Sequence, residues 1–186
     1  MTGLVLAAGA GRRFGRPKAL VEFRGVRLVD HAVALLRAGG CDRVVVVSGA
    51  VALAVPGAEV VHNERWESGM GSSLRTGLTA IGRADVVVIP VDMPWLGAEA
   101  VRRVAGADAS LAVATYGGAR RHPVFLGAQH LPGVIDSAVG DAGARHYLRA
   151  HSDRVVEVPC DDTGSPRDVD VSADLHRAEG SGPGGH

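Results

Sequence analysis

The stretch Leu6-Ala7-Ala8-Gly9-Ala10-Gly11-Arg12-Arg13-Phe14-Gly15-Arg16-Pro17-Lys18 decides how this chain is read. It grows out of an apolar run, residues 3–7, that reads as a buried strand starting almost at the first residue. Glycine lacks the Cβ that would hold a ligand away, so a glycine-rich turn can present bare backbone N–H groups. Arginines and a lysine on the same turn add positive charge at the same place. Amides and cations at the C-terminal end of a first strand form a cradle for phosphate groups. The glycine spacing, G-x-G-x-x-x-G, is one residue longer than the dinucleotide fingerprint, and no acidic residue ends a second strand to hold a ribose. The G-K-[ST] ending of a P-loop is absent, because Arg16 and Pro17 follow Gly15. The competing reading is a plain turn between strand and helix.

Working outward, apolar runs alternate with Ala/Leu helical patterns, the signal for βαβ units and a parallel sheet. Strands are expected over residues 43–47, 58–62 (at an edge), 85–90, 111–115, 123–126 and 154–158, with 116–121 as a connecting loop. Helices are expected over residues 28–37, 72–81, 98–105 and 142–150, with Ser72 or Ser73 as a cap. Ser172 is expected to cap a last short helix with Asp174 in its first turn. The runs 43–47 and 85–90 lack alternation, as strands covered on both faces do. The fold class is therefore α/β, a Rossmann-like αβα sandwich around a mostly parallel sheet. One domain over residues 1–178 is expected, with a nucleotide half before about residue 95, an acceptor half after it, and a tail over 179–186.

The 186 residues are 46% hydrophobic but 4% aromatic, so the core must be Val, Leu and Ala. Formal charge is zero, which argues against a nucleic-acid partner and makes the basic charge of the loop local. Cys41 and Cys160 lack metal or redox spacing and read as small core residues. No signal peptide or apolar stretch near membrane-spanning length is visible, so a cytoplasmic protein without membrane contact is expected.

Three kinds of group would let such a chain handle a nucleoside triphosphate. Arg13 and Lys18 supply cations, a planar fork and a mobile point charge respectively. Lys18 is the only lysine in a sequence that otherwise uses arginine. Arg12 and Arg16 read as solvated loop residues. Asp92 follows a buried strand and precedes Met93-Pro94, at the crevice where open α/β sheets bind ligands. One carboxylate plus substrate phosphates is a common Mg²⁺ site, whereas the plain alternative is a turn aspartate bonded to its own backbone. The backbone of Leu6, Ala7, Ala8, Gly9 and Gly11, together with the Ser73 hydroxyl, can read a base and hold phosphates. His122, Asp141 and Arg145 are candidates on the acceptor side, the last two because a helix N-terminus and an arginine would dock a phosphate monoester.

The first loop, Gly69-Met70-Gly71-Ser72-Ser73-Leu74-Arg75-Thr76-Gly77-Leu78, Val91-Asp92-Met93-Pro94, His122-Pro123-Val124-Phe125 and Gly140-Asp141-Ala142-Gly143-Ala144-Arg145 together resemble a nucleotidyltransferase superfamily. The nearest branch is that of the molybdenum cofactor cytidylyltransferases and their molybdopterin-guanine relatives. The likeness spans about residues 3 to 175. It implies a nucleotide-diphospho-sugar transferase-like fold and Mg²⁺-dependent transfer of CMP from CTP to a phosphate-bearing acceptor such as molybdopterin. It implies Lys18 near the α-phosphate, Ser73 on cytosine, and a CTP preference from Ala8, where the guanylyl branch tends to have glycine. Asp168-Val169-Asp170 matches the family's terminal acidic motif, making Asp170, then Asp168, the second metal ligand, although Val171-Ser172 replaces the usual Thr-Pro. Transient contact with a molybdoenzyme or its chaperone also follows from the likeness. GTP or a sugar- or polyol-phosphate acceptor, and a non-catalytic nucleotide-binding module, are the competing readings.

Overall fold

In a computed structural model, which describes residues 1–170 and Asp174, seven strands form one sheet with helices on both faces. The strands are β1 (Thr2–Leu6), β4 (Arg43–Ser48), β5 (Glu59–His62), β6 (Val86–Pro90), β7 (Leu111–Tyr116), β8 (Ala119–Leu126) and β9 (Val155–Pro159). Their order across the sheet is β5-β4-β1-β6-β8-β7-β9. Only β8 runs against the others. Strands from before and after residue 95 thus share one sheet. A small hairpin, β2 (Glu22–Phe23) with β3 (Val26–Arg27), lies apart and was not expected. Three-layer order of this kind is the nucleotide-diphospho-sugar transferase-like fold.

The helices are α1 (Leu28–Ala38), α2 (Met70–Ile81), α3 (Ala98–Ala105), α4 (Leu131–Ser137) and α5 (Arg145–Ala150). β1 has every residue buried because its neighbours β4 and β6 lie in plane and helices cover both faces. Alternate side chains sort into two cores, as the two-residue repeat of a strand requires. Val5, Val44, Val46, Val87 and Ile89 pack with Leu28, Val29 and Leu36 of α1 and Val101 and Val104 of α3. Leu4, Leu6, Val45, Val47, Val86 and Val88 pack with Leu74 and Leu78 of α2, Val134 of α4 and Leu148 of α5. Both cysteines are buried free thiols, and burial pushes the Cys41 thiol up to about 11.

Four expectations need correction. The stretch 116–121 is not a loop: Gly117-Gly118, with φ of 56° and 75°, makes a two-residue hairpin turn, and β8 begins at Ala119. Positive φ at both central residues suits the right-handed twist of the flanking strands. The exposed Arg120 and Arg121 disguised this strand, and the ladder skips His122 and Pro123, since proline has no N–H to donate. The expected helix 142–150 is broken at Gly143 (φ 54°) into a 3₁₀ turn, Gly140–Ala142, and the short α5. Helix α2 starts at Met70 with Gly69 as its cap residue, so neither Ser72 nor Ser73 caps it. Helix α4, with Pro132 in its first turn, also went unread. The expected cap at Ser172 and the tail 179–186 lie outside the described residues. Among the described residues no helix is long and apolar enough to cross a membrane.

Candidate functional site

The C-terminal ends of β1 and β6 open onto a cleft of about 380 Å³. Its walls include Leu6, Ala8, Gly9, Gly11, Lys18, Trp66, Ser73, Asp92 and Asp141. Chain beyond the strand ends stays in register, with Ala7 N–H on Val47 O and Val91 N–H on Leu6 O. The loop that follows β1 is thereby held flush with the loop that carries Asp92. Such a crevice outside the carboxyl ends of parallel strands is where open α/β sheets bind ligands.

The first loop is a closed turn. Phe14 and Gly15 N–H both donate to Gly11 O, at 2.8 and 2.9 Å. Gly11 sits at φ 61°, and a Cβ there would meet Arg16 O at 2.0 Å. A Cβ on Gly9 would meet nothing within 4 Å, so its backbone faces open space. Gly11→Ala should therefore destabilise the fold by about 2 kcal/mol, the cost of a left-handed residue before the clash is counted. In a chain of this size that lowers Tm by roughly 4 to 8 °C. A calorimetric melt checks it; an unshifted Tm would mean that the turn rebuilds freely.

Lys18 opens the 3₁₀ turn after Pro17 and reaches back beneath the loop. Its ammonium donates to Asp92 Oδ2 at 2.8 Å and to Asp170 Oδ1 at 3.0 Å. Lys18 and Asp92 side chains are 17% and 19% exposed, against 37% for Asp170. Burial alone would lower the lysine pKa, but the hydrogen bonds and charges of Asp92 and then Asp170 outweigh it and raise the value. The group is an ammonium at any ordinary pH. Arg13, exposed, adds a 3.5 Å ion pair to Asp170 Oδ2. Asp170 reaches the cluster because Val169 N–H donates to Asp92 O at 2.9 Å, with Val169 itself fully buried. Asp168, one residue back, is exposed. Sequence candidates from three separate regions thus meet here, and Asp92 and Asp170 share the Lys18 ammonium. Arg16 is exposed, and Arg12 lies 3.9 Å from Glu67, both exposed, at the rim.

Ala8, Trp66 and Ser73 also line the cleft. A Cβ on Gly49 would come within 2.5 Å of Trp66 Cβ and 2.8 Å of Ala8 Cβ, so both side chains close on Gly49. Trp66 belongs to a 3₁₀ turn, Trp66–Ser68, whose contacts no periodicity announces. Ser73 is buried on α2 and bonded to Asn63, another residue that sequence reading missed.

The acceptor-side candidates are arranged differently from expectation. Asp141 belongs to the 3₁₀ turn, not to the start of its own helix, and its Oδ1 lies 3.4 Å from Met70 N at the N-terminus of α2. A carboxylate there is favoured by the helix dipole. Arg145 is exposed and folds back to donate to Asp141 O at 2.9 Å. His122 is half-buried at the irregular point of β8; burial, then the nearby Arg145 charge, pushes its pKa down to about 4, so its ring is neutral. Of the three, Asp141 lines the cleft directly.

A basic glycine turn and a partly buried lysine between two carboxylates thus meet in a cleft at the ends of parallel strands. Residues 3–155 match the MobA-like NTP transferase domain, and the chain belongs to that family of nucleotidyltransferases. Among relatives, a nicotine blue oxidoreductase of Paenarthrobacter nicotinovorans is 38% identical, over 95% of both chains. A molybdenum cofactor guanylyltransferase of Rhodobacter capsulatus is 32% identical, over 96% of this chain and 95% of its own. Among solved structures, a Mycobacterium tuberculosis protein crystallised as a complex with manganese superposes with a TM-score of 0.79 at 25% identity, covering 97% of this chain and 98% of that one.

Proposed function

We propose that this chain transfers a nucleoside monophosphate from a nucleoside triphosphate to a phosphate-bearing acceptor, with release of pyrophosphate. The observation that carries the reading is the Lys18 ammonium held between Asp92 and Asp170 at the mouth of the cleft. The acceptor phosphate oxygen attacks the α-phosphorus in line as the bond to pyrophosphate breaks. Little covalent work falls to the protein, so positioning and charge neutralisation dominate. In this reading Lys18 would face the α-phosphate, the loop amides and Arg13 the outer phosphates, and Ser73 the base. Asp92 and Asp170 would hold a divalent cation, Mg²⁺, which when bound neutralises phosphate charge. Two carboxylates plus substrate oxygens suit that ion, and the manganese complex of the mycobacterial neighbour supports it.

The guanylyltransferase relatives support molybdopterin as the acceptor class and also favour GTP as a donor. Against GTP stands Ala8, a lining residue of the cleft at a position where the guanylyl branch tends to have glycine, which supports CTP. Single-turnover transfer from each of the four triphosphates to a pterin phosphate, with Mg²⁺, tests both points. CTP should react at least about tenfold faster than GTP, the effect of one lost or clashing base contact. GTP reacting faster would reverse the base assignment. No Mg²⁺-dependent exchange of pyrophosphate into any triphosphate would leave a binding module without turnover.

One relative favours a second reading. The oxidoreductase from Paenarthrobacter shares more identical residues with this chain than the guanylyltransferase does. In that reading the same cleft serves electron transfer to a dye-like acceptor. Reduction of nicotine blue by an added hydride donor, followed by loss of colour, decides it; turnover there with none in the nucleotidyl assay would replace the first reading.

A further inference from the structure

Behind Ser73 lies Asn63, 4% exposed, at the end of β5. Its backbone N–H donates to Ser48 O at 2.9 Å, which ties it to β4. Its Oδ1 accepts the Arg65 N–H at 3.0 Å. That bond settles which end of the amide is which: the oxygen faces Arg65, so Nδ2 faces α2. There Nδ2 donates to Ser72 Oγ at 2.8 Å and to Ser73 Oγ at 3.0 Å, which uses both amide hydrogens. Each serine oxygen therefore accepts, and each has one proton left to give. Ser72 gives its proton to the carbonyl of Arg65 or Gly69, both at 2.9 Å. Ser73 Oγ has no second partner among the described residues, and Ser73 lines the cleft.

We infer that Asn63 is a positioning residue that holds the Ser73 hydroxyl with its proton free to donate toward the nucleobase. The inference rests on the nucleotide reading above. A serine hydroxyl without such a partner turns its proton freely to suit any neighbour. Asn63 takes one of the two lone pairs of the Ser73 oxygen and leaves its proton free for the cleft, where a base acceptor such as O2 or N3 of cytosine can take it. Without that donor the base acceptor would be left unpaired in the cleft, a penalty that a site can use for selection. Ser72 cannot substitute, because its own proton is already directed to backbone.

Asn63→Asp keeps the side-chain shape and the bond to Arg65 but replaces the amide donor with an acceptor. Ser73 then turns its proton inward and presents a lone pair to the cleft. Calorimetry with CTP and with inorganic tripolyphosphate, each with Mg²⁺, reads the effect. The CTP Kd should rise by about tenfold to a hundredfold while the tripolyphosphate Kd stays within about twofold. Asn63→Ala, which removes donor and acceptor together, should raise the CTP Kd about tenfold with the same selectivity and stands in if the aspartate variant does not fold. In a Ser73→Ala background, Asn63→Asp should add nothing further, since its effect passes through that hydroxyl. Equal weakening of both ligands, or effects that multiply in the double variant, would overturn the role of Asn63. A wild-type protein that binds tripolyphosphate as tightly as every ribonucleotide would overturn the nucleotide reading itself. A wild type that prefers CTP, with unaltered variants, would overturn only the positioning role.

Discussion

Lys18→Ala should lower kcat by about a hundredfold to a thousandfold while raising the nucleotide KM by less than about tenfold. The asymmetry follows from where the ammonium sits. Its two partners are carboxylates, so in the resting protein it is already paired and contributes little net attraction for an incoming triphosphate. Negative charge shifts onto the α-phosphoryl oxygens and the leaving pyrophosphate only as the bond breaks, and an interaction that strengthens there speeds the chemical step rather than binding. Its surroundings are mostly removed from water, so a unit charge acts through a weaker dielectric than on the surface. Lys18→Arg should not restore the rate, because a planar fork cannot occupy the position of a compact ammonium between two oxygens. Rapid-quench measurement of a single turnover, beside equilibrium binding, separates the terms. A variant that loses nucleotide affinity in proportion to its rate would make Lys18 a binding residue and nothing more.

The parts of this architecture legible in the sequence are those whose environment is uniform. The runs in β1, β4 and β6 are apolar throughout because both faces are covered, and helix α3 carries a one-sided apolar stripe with the bounds expected of it. Strand β8 was half hidden because its environment changes along its length: Arg120 and Arg121 project into water, whereas Val124, Phe125 and Leu126 enter the core. Helix α5 was overextended because an apolar period cannot report that Gly143 turns the chain to positive φ. In the site, Lys18, Asp92 and Asp170 could be named singly from loop and strand-end chemistry or from the family likeness. Their meeting point depends on the Val169–Asp92 backbone bond, which no local pattern encodes. Asn63 and Trp66 escaped for a similar reason. Their significance arises only when the segment after β5 folds against α2, and a lone asparagine before a turn reads as turn chemistry.

Asp92→Asn should abolish the response of the protein to Mg²⁺ and reduce kcat by about a thousandfold, with the fold retained. Substituting an isosteric amide removes one unit of negative charge without changing volume. The structural tie at this position survives, because Val169 N–H bonds the Asp92 backbone carbonyl and not the side chain. Lys18 can still donate to the amide oxygen and to Asp170, so the resting arrangement of the loop is kept. What is lost is the second anionic ligand: one carboxylate with neutral neighbours holds a hard divalent cation far more weakly than two. Asp170→Asn should have the same sign but a smaller effect, because Asp170 is the more exposed of the pair and shares its charge with Arg13. Titrating Mn²⁺ against each variant by electron paramagnetic resonance, without nucleotide, reads the ion directly and is independent of turnover. Normal Mn²⁺ binding by Asp92→Asn together with lost activity would move the ion to other ligands and leave Asp92 as the partner that orients Lys18. Undiminished activity would remove Asp92 from the reaction and, with it, the reason for a lone lysine at this place.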